Sequence, residues 1–351
     1  MNRIYLLDIA RGIAAISVVI FHYKLFYSYN INTEEYIMEN QPFYRYIKLI
    51  YQDGWIAVQF FFILSGFIFF KLYLKKIYQK KINFYEFLVL RISRLYPLHL
   101  VTLIAVLLIY IALNSNNFYN PIQGDLKHFI YNLFLIQQWG ISSFASFNEP
   151  AWSISVEILM YIIFFYVSIK QNNFFYTMLI IAISTIIFFK FKLIGYGGYC
   201  FFIGGLSFLI VDKLKISNKI KITSLMLIIF LSIMFLIILN TSIIIEKIIL
   251  LTILFPSIIN LLNLINNRYL QLGKGISILG DISYSIYLIH YPFILTILFL
   301  LNVLELKMDF NMPIIFLIYI TITVLISFYS YKFIEIPLKR ILRNKYSKND
   351  N

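Results

Sequence analysis

The stretch "RGIAAISVVIFHY" (residues 11–23) is an apolar run that begins with an arginine and has a histidine near its end. An arginine in hydrocarbon is costly, and it usually marks a functional or a paired position. The composition decides whether this run lies in a membrane. Of the 351 residues, 61% are hydrophobic and 13% are charged, whereas soluble domains have about 25% charged residues. Similar runs recur along the chain, so the sequence predicts an all-α, polytopic membrane protein.

Apolar segments of about 20 residues, the length that a helix needs to cross a bilayer, occur about ten times. They lie at 5–29, 55–72, 95–113, 152–169, 173–193, 195–211, 221–240, 244–265, 282–302 and 312–334. The loops carry no soluble domain, so we expect one membrane domain over residues 1–337 and a short basic tail at 338–351. The first segment is too long for a signal peptide and has no cleavage site, so we expect it to be a retained span.

The formal net charge of +14 could indicate a nucleic-acid-binding protein, but its distribution gives another explanation. With the N-terminus placed inside the cell, 20 Lys and Arg residues fall on the cytoplasmic side, 7 fall outside and 3 lie within spans. This count assigns five residues at the ends of spans to the neighbouring loops, namely Lys71, Lys190, Lys192, Lys221 and Lys247. This asymmetry follows the positive-inside rule and predicts that both termini are cytoplasmic. We therefore expect no nucleic-acid partner. A basic cytoplasmic face can instead attract anionic membrane lipids or a phosphorylated substrate.

The residues that usually bind metals are sparse. The single cysteine, Cys200, lies in an apolar segment, which excludes disulfides and cysteine-rich metal sites. The His, Asp and Glu residues show no metal-ligand spacing, so we expect no metal cofactor.

The glycine-rich run "GYGGYCFFIGG" (195–205) predicts close helix packing through small residues rather than a ligand site.

Arg11 and His22 are predicted to share one face of the first helix. Eleven residues at 100° each return the helix to within about 20° of its starting direction, and they separate the two side chains by roughly 16 Å. Asp8 lies one turn before Arg11 and is its expected partner. The alternative is a buried Asp8–Arg11 pair and an interfacial histidine without a catalytic role.

The fourth span carries a second polar stripe. The sequence "PAWSISVEILMY" (150–161) places Ser153, Glu157 and Tyr161 at intervals of four residues near its outer end. A glutamate inside a span needs a partner from another helix.

The ninth span carries a third set of polar residues. The sequence "SYSIYLIHYP" (283–292) places Ser283, Tyr287 and His290 on one helical face. A hydrogen-bonded structural network and a direct chemical role are both compatible with this pattern.

The sequence "RISRLYP" (91–97) places Arg91 and Arg94 one turn apart at the inner end of the third span. Guanidinium groups at this spacing can hold a phosphate bidentately and keep their charge in any environment. The alternative is that the two arginines only anchor the span on the cytoplasmic side.

Taken together, these segments resemble the acyltransferase-3 family of integral membrane acyltransferases. Six segments match in order: "LLDIARGIAAISVVIFHY" (6–23), "GWIAVQFFFILSGF" (54–67), "RISRLYP" (91–97), "PAWSISVEILMY" (150–161), "ISYSIYLIHYP" (282–292) and "YKFIEIPLKR" (331–340). Gln59 departs from the pattern, because many members have an acidic residue there; an acid–base role is not expected at this position.

The resemblance implies about ten spans, an acyl-coenzyme A donor such as acetyl-CoA on the cytoplasmic side, and O-acylation of a sugar hydroxyl. The predicted acceptor is a cell-envelope polysaccharide or its lipid-linked precursor. Some members carry an appended extracytoplasmic esterase-like domain. No such segment follows the last span here, so we expect transfer to be completed within the membrane domain or with a separate partner.

We assign catalysis to His22 and Glu157, with His22 as general base or transient acyl carrier and Glu157 orienting its ring. Arg11 is expected to hold the polar end of the donor, and Arg91 and Arg94 its phosphates. Three alternatives remain open: a transporter or flippase for a polar envelope precursor, a non-catalytic assembly factor, and an acyltransferase that acts on a small secreted metabolite.

Overall fold

A computed structural model describes most of the chain. The described residues are 3–28, 37–116, 120, 122, 124–141, 146–170, 173–238, 242–269 and 271–347, without the side chains of 344–347. Throughout these residues the regular structure is helical and contains no strand. The predicted all-α fold class is confirmed.

The α-helices follow one another with short connections. They are α1 (Tyr5–His22), α2 (Leu25–Ser28), α3 (Tyr44–Asp53), α4 (Ile56–Tyr78), α5 (Phe84–Ser115), α6 (Leu126–Leu133), α7 (Trp152–Ile169), α8 (Asn173–Phe188), α9 (Lys192–Lys213), α10 (Asn218–Ile238), α11 (Ile243–Ile249), α12 (Phe255–Arg268), α13 (Ile278–Asp281), α14 (Ser283–Val303), α15 (Pro313–Ser330) and α16 (Ile336–Ser347). Two π-helical segments, Leu250–Leu254 and Tyr331–Glu335, connect α11 to α12 and α15 to α16. Two 3₁₀ turns, Met38–Asn40 and Glu149–Ala151, precede α3 and α7.

Nine helical segments of the described part are long and apolar enough to cross a membrane. They correspond to nine of the predicted spans. The remaining one, predicted at 173–193, is the 16-residue helix α8, which is apolar but shorter than the usual spanning length of about 20 residues. A polytopic membrane protein is therefore confirmed, and the orientation of its termini stays a prediction.

Two helices extend beyond the predicted span boundaries. The third span was expected at 95–113, but α5 begins at Phe84 and includes the arginine pair in one continuous helix. The chain after the last span was expected to be a tail, but α16 continues the helix to Ser347. Hydropathy indicates where hydrocarbon begins, and it does not indicate where a helix that leaves the membrane ends.

The chain divides into two compact units. The first comprises Met1–Ala14, Val58–Phe84 and Val156–Gly280. The second comprises Ala15–Ala57, Tyr85–Ser155 and Asp281–Asn351.

In the first unit, α4 and α9 pack backbone against backbone through glycine. A Cβ atom built on Gly204 would lie 1.9 Å from the carbonyl oxygen of Ile63, and one built on Gly66 would lie 1.8 Å from that of Phe201. No side chain fits at either position, because real Cβ atoms do not approach so closely. The packing role predicted for the glycine-rich run 195–205 is confirmed.

In the second unit, aromatic residues fix the chain just after the end of α1. The Tyr23 hydroxyl donates to the carbonyl oxygen of Phe310 at 2.9 Å, and its ring meets the edge of Phe316 at 5.1 Å. The Tyr27 hydroxyl donates to Oδ1 of Asn311 at 2.9 Å. Since Tyr23 directly follows His22, these contacts also restrain the backbone of His22.

Candidate active site

His22, the last residue of α1, lies against His290 in the middle of α14. Nδ1 of His22 is 3.2 Å from Nε2 of His290, and the two rings stack with centroids 5.0 Å apart and planes inclined by 29°. His290 is fully buried, whereas His22 retains exposed surface. His22 is therefore the more exposed residue of the pair.

Two backbone carbonyl groups fix the tautomers of this pair. Nδ1 of His22 is 3.0 Å from the oxygen of Val18, and Nδ1 of His290 is 3.3 Å from the oxygen of Ile286. A carbonyl oxygen can only accept, so each Nδ1 carries its proton. The proton of His22 is then shared between Val18 and the lone pair on Nε2 of His290. The lone pair of His22 lies on Nε2, where it can act as a base or a nucleophile.

The helix turn that carries His290 contains a proline. Pro292 has no N–H, so the carbonyl group of Leu288, four residues earlier, loses its helical donor. The side-chain amide of the fully buried Asn148 donates to this carbonyl group at 3.2 Å. Asn148 thereby compensates for the proline and supports the backbone on which His290 stands.

The predicted polar residues of the fourth and ninth spans meet in the second unit. The Tyr287 hydroxyl donates to the carbonyl oxygen of Pro150 at 2.8 Å. The Ser153 hydroxyl lies 2.8 Å from the Tyr287 oxygen, and it also reaches the carbonyl oxygen of Pro150 at 3.3 Å. Ser283 is buried at the start of α14. Ser153 and Tyr287 thus form a buried hydrogen-bonded pair one turn from His290.

Glu157 lies in the first unit, on α7. Its Oε1 accepts hydrogen bonds from Ser65 at 2.7 Å and from Tyr161 at 2.5 Å. The partner that the sequence required from another helix is therefore Ser65 of α4, which is an uncharged residue. The orienting role expected of Glu157 toward His22 stays a prediction.

The pair expected at the start of α1 is present, and it has a third member. Arg11 contacts Asp8 at 3.4 Å, but Arg3 approaches the same carboxylate more closely, at 2.7 Å. Asp8 and Arg11 are both largely buried, with less than a fifth of each side chain exposed. Asp8 is thus shared by two cations, and the donor contact expected of Arg11 stays a prediction.

Arg91 and Arg94 lie half-buried on α5, in the second unit. Arg94 interacts electrostatically with Glu335, which is buried at the end of the π-helical segment. The Ser285 hydroxyl donates to Oε1 of Glu335. The arginine pair therefore lies near a carboxylate from the C-terminal part of the chain, which the sequence did not connect with it.

Two features of the site were not foreseen from the sequence. The partnership of His22 with His290 joins positions 268 residues apart, and the Asn148–Leu288 contact joins positions 140 apart. The proline two residues after His290 was the one available signal, since it requires a replacement donor. In the described residues, no three His, Cys, Asp or Glu side chains gather as metal ligands.

Comparisons with known proteins point to one chemistry. A family model described as an acyltransferase domain matches residues 4–332. The chain is also similar to acyltransferase MdmB of Streptomyces mycarofaciens, with 34% identity over 113 residues. That match covers 32% of this chain, and the chain spans 27% of the length of that relative. No solved structure matches the chain significantly.

Proposed function

The chain belongs to the acyltransferase-3 family, and we propose that it is an enzyme of the cell membrane that carries out O-acylation. The donor in this proposal is a cytoplasmic acyl-coenzyme A, with acetyl-CoA as the first choice. The acceptor is a hydroxyl group of a cell-envelope polysaccharide or of its lipid-linked precursor. The relative MdmB is named an acyltransferase, which supports the reaction type and says nothing of the acceptor.

The observation that carries the proposal is the His22–His290 pair. His22 has its lone pair on Nε2 and remains accessible, while its Nδ1–H points to the lone pair of His290. When Nε2 takes up a proton, the positive charge on the His22 ring strengthens this hydrogen bond. His290 is therefore a positioning residue that holds the ring of His22 and stabilises its charged form.

In direct transfer, Nε2 of His22 removes the proton from the acceptor hydroxyl group as its oxygen attacks the thioester carbonyl carbon. The C–S bond then breaks, and the coenzyme A thiolate takes the proton back from His22. In the relay alternative, Nε2 itself attacks the carbonyl carbon, the C–S bond breaks and the coenzyme A thiolate leaves. The acceptor hydroxyl group then attacks the acyl carbon and displaces the ring, and its proton passes to Nε2 and from there to the thiolate. Both routes need the same nitrogen lone pair and the same partner at Nδ1.

The donor is held, in this proposal, by the arginines that the sequence singled out. Arg91 and Arg94 bind its phosphates, because two guanidinium groups one helical turn apart match a phosphate group. Arg11, paired with Asp8, orients its pantetheine arm. Glu157, fixed by Ser65 and Tyr161, is the second catalytic candidate.

The experiment that tests the proposal uses the full chain in nanodiscs with [¹⁴C]acetyl-CoA and isolated envelope polysaccharide. We expect label in the polysaccharide that is released by mild base, as an O-acyl ester requires. Mass spectrometry of envelope glycans from wild-type and deletion cells should show the loss of one acyl group per modified unit.

Two outcomes would contradict the proposal. If the pure protein neither transfers nor hydrolyses acetyl-CoA while deletion cells accumulate an unexported precursor, the protein is a transporter. If the label appears only in a small soluble product, the enzyme class holds and the polysaccharide acceptor is wrong.

A further inference from the structure

A charged stripe with no role in the proposed mechanism runs along α16, the C-terminal helix, from the last residue of the preceding π-helical segment. Glu335, Lys339 and Arg343 follow one another at intervals of four residues, which places them on one helical face. The stripe begins where the π-helical segment Tyr331–Glu335 ends. Such segments insert an extra residue into a helix turn and often occur at functional sites, because they change the direction in which the following side chains point.

Hydrogen bonds attach this stripe to α5. Nε of Arg343 donates to Oγ of Ser93 at 3.2 Å, and its terminal NH2 group donates to the carbonyl oxygen of Leu90, also at 3.2 Å. Ser93 lies between Arg91 and Arg94 in the sequence. The C-terminal helix therefore lies beside the arginine pair.

Lys339, the middle residue of the stripe, also interacts with these arginines. It interacts electrostatically with Arg343, Arg94 and Arg91, which are all cations. All four basic residues are half-buried, so water screens their mutual repulsion less than it would on an open surface.

A carboxylate lies beside the four basic residues. Glu335 interacts electrostatically with both Arg94 and Lys339, and Glu86, in the first turn of α5, is exposed. Basic residues that only anchor a span must lie on the cytoplasmic side of the membrane, but they need not lie close to one another. Arg91, Arg94, Lys339 and Arg343 instead converge from helices about 250 residues apart in the sequence. Their convergence indicates an anionic ligand.

We propose that Lys339 and Arg343 complete, together with Arg91 and Arg94, a binding site for the phosphate groups of the acyl donor. This inference rests on the proposed function. A phospholipid headgroup offers a single phosphodiester charge, whereas coenzyme A carries a diphosphate and a 3′-phosphate. Four basic side chains match the second ligand, and the arginine forks can bind its oxygens bidentately.

The test measures the affinity of the full chain for coenzyme A in nanodiscs of zwitterionic lipid, by titration calorimetry. Lys339→Gln removes one charge and leaves the hydrogen bonds of Arg343 to α5 in place. Arg340→Gln is the matched control, because Arg340 is the next residue on the same helix and is exposed. We expect Lys339→Gln to weaken binding by on the order of tenfold and Arg340→Gln to change it by less than about twofold.

Two further measurements identify the ligand. Dephospho-coenzyme A should bind the wild type more weakly than coenzyme A does, and this difference should shrink in Lys339→Gln or Arg343→Gln. Lys339→Arg, which keeps the charge, should restore the affinity. The same variants are then compared for retention of phosphatidylglycerol after purification.

The outcomes separate this inference from the proposed function. If Lys339→Gln and Arg343→Gln bind coenzyme A as Arg340→Gln does, the site is wrong even when the wild type transfers acyl groups normally. If they lose only phosphatidylglycerol, the group holds a lipid headgroup and the inference is also wrong. If they lose coenzyme A but the wild type transfers nothing, the site stands and the proposed function fails.

Discussion

Nδ1 of His22 and Nε2 of His290 lie 3.2 Å apart, and a backbone carbonyl group next to each ring fixes its tautomer. His22 retains exposed surface, and His290 is fully buried. The proposed mechanism uses this asymmetry, because in it His22 meets the substrate and the buried His290 supports His22. Each role leads to a separate prediction.

His22→Ala should abolish acyl transfer, with a loss on the order of 10²–10⁴-fold, because the Nε2 lone pair disappears. Donor affinity and expression should stay close to those of the wild type. Single-turnover transfer and coenzyme A titration measure the two quantities separately. If a well-folded His22→Ala protein transferred acyl groups at the wild-type rate, the histidine would have only a structural role.

His290→Gln should lower kcat by roughly 10- to 150-fold, the equivalent of losing one hydrogen bond to a charged group. KM for the donor should change little. Single-turnover transfer gives kcat per folded molecule, and thermal unfolding gives Tm. A lower Tm with an unchanged kcat would show that His290 only supports the fold.

Glu157→Gln should reduce transfer by less than about tenfold, because an amide can still accept hydrogen bonds from Ser65 and Tyr161. Glu157→Ala should cost more, since both hydroxyl groups then lose their acceptor. The comparison of the two variants in the polysaccharide transfer assay distinguishes the carboxylate charge from its hydrogen bonds. Equal losses in both would show that the charge itself is needed.

Asn148→Ala should destabilise the protein by about 1–3 kcal/mol, because the carbonyl group freed by Pro292 is left without a donor. In a Pro292→Ala background, the backbone N–H of residue 292 can donate to the carbonyl group of Leu288. The loss of stability caused by Asn148→Ala should then be much smaller. A double-mutant cycle on thermal unfolding measures the difference. Additive effects of Asn148→Ala and Pro292→Ala would contradict this account of α14.

Gly204→Ala should destabilise the protein by about 1–3 kcal/mol through overpacking, because the new methyl group meets the backbone of α4. Gly275→Ala is the matched control, since an added Cβ atom there has nothing within 4 Å. Thermal unfolding in detergent should separate the two by several degrees. Equal Tm values would show that α4 and α9 can move apart at no cost.

The sequence by itself determined the membrane class, the positions of most helices and the polar residues to examine. These properties are local. An apolar run of about 20 residues predicts a spanning helix without knowledge of the rest of the chain, because in a bilayer a helix satisfies its own backbone hydrogen bonds. The helical period likewise places Arg11 and His22 on one face of α1 without knowledge of the fold.

Only the tertiary structure decided which polar residues meet. His22 could have faced any polar residue of comparable depth, and its contact with His290 depends on how α1 and α14 pack. The convergence of Arg343 on Ser93 depends in the same way on the continuation of the helix beyond the last span. Side-chain partners between helices are set by packing and register, and the hydropathy of single segments does not contain that information.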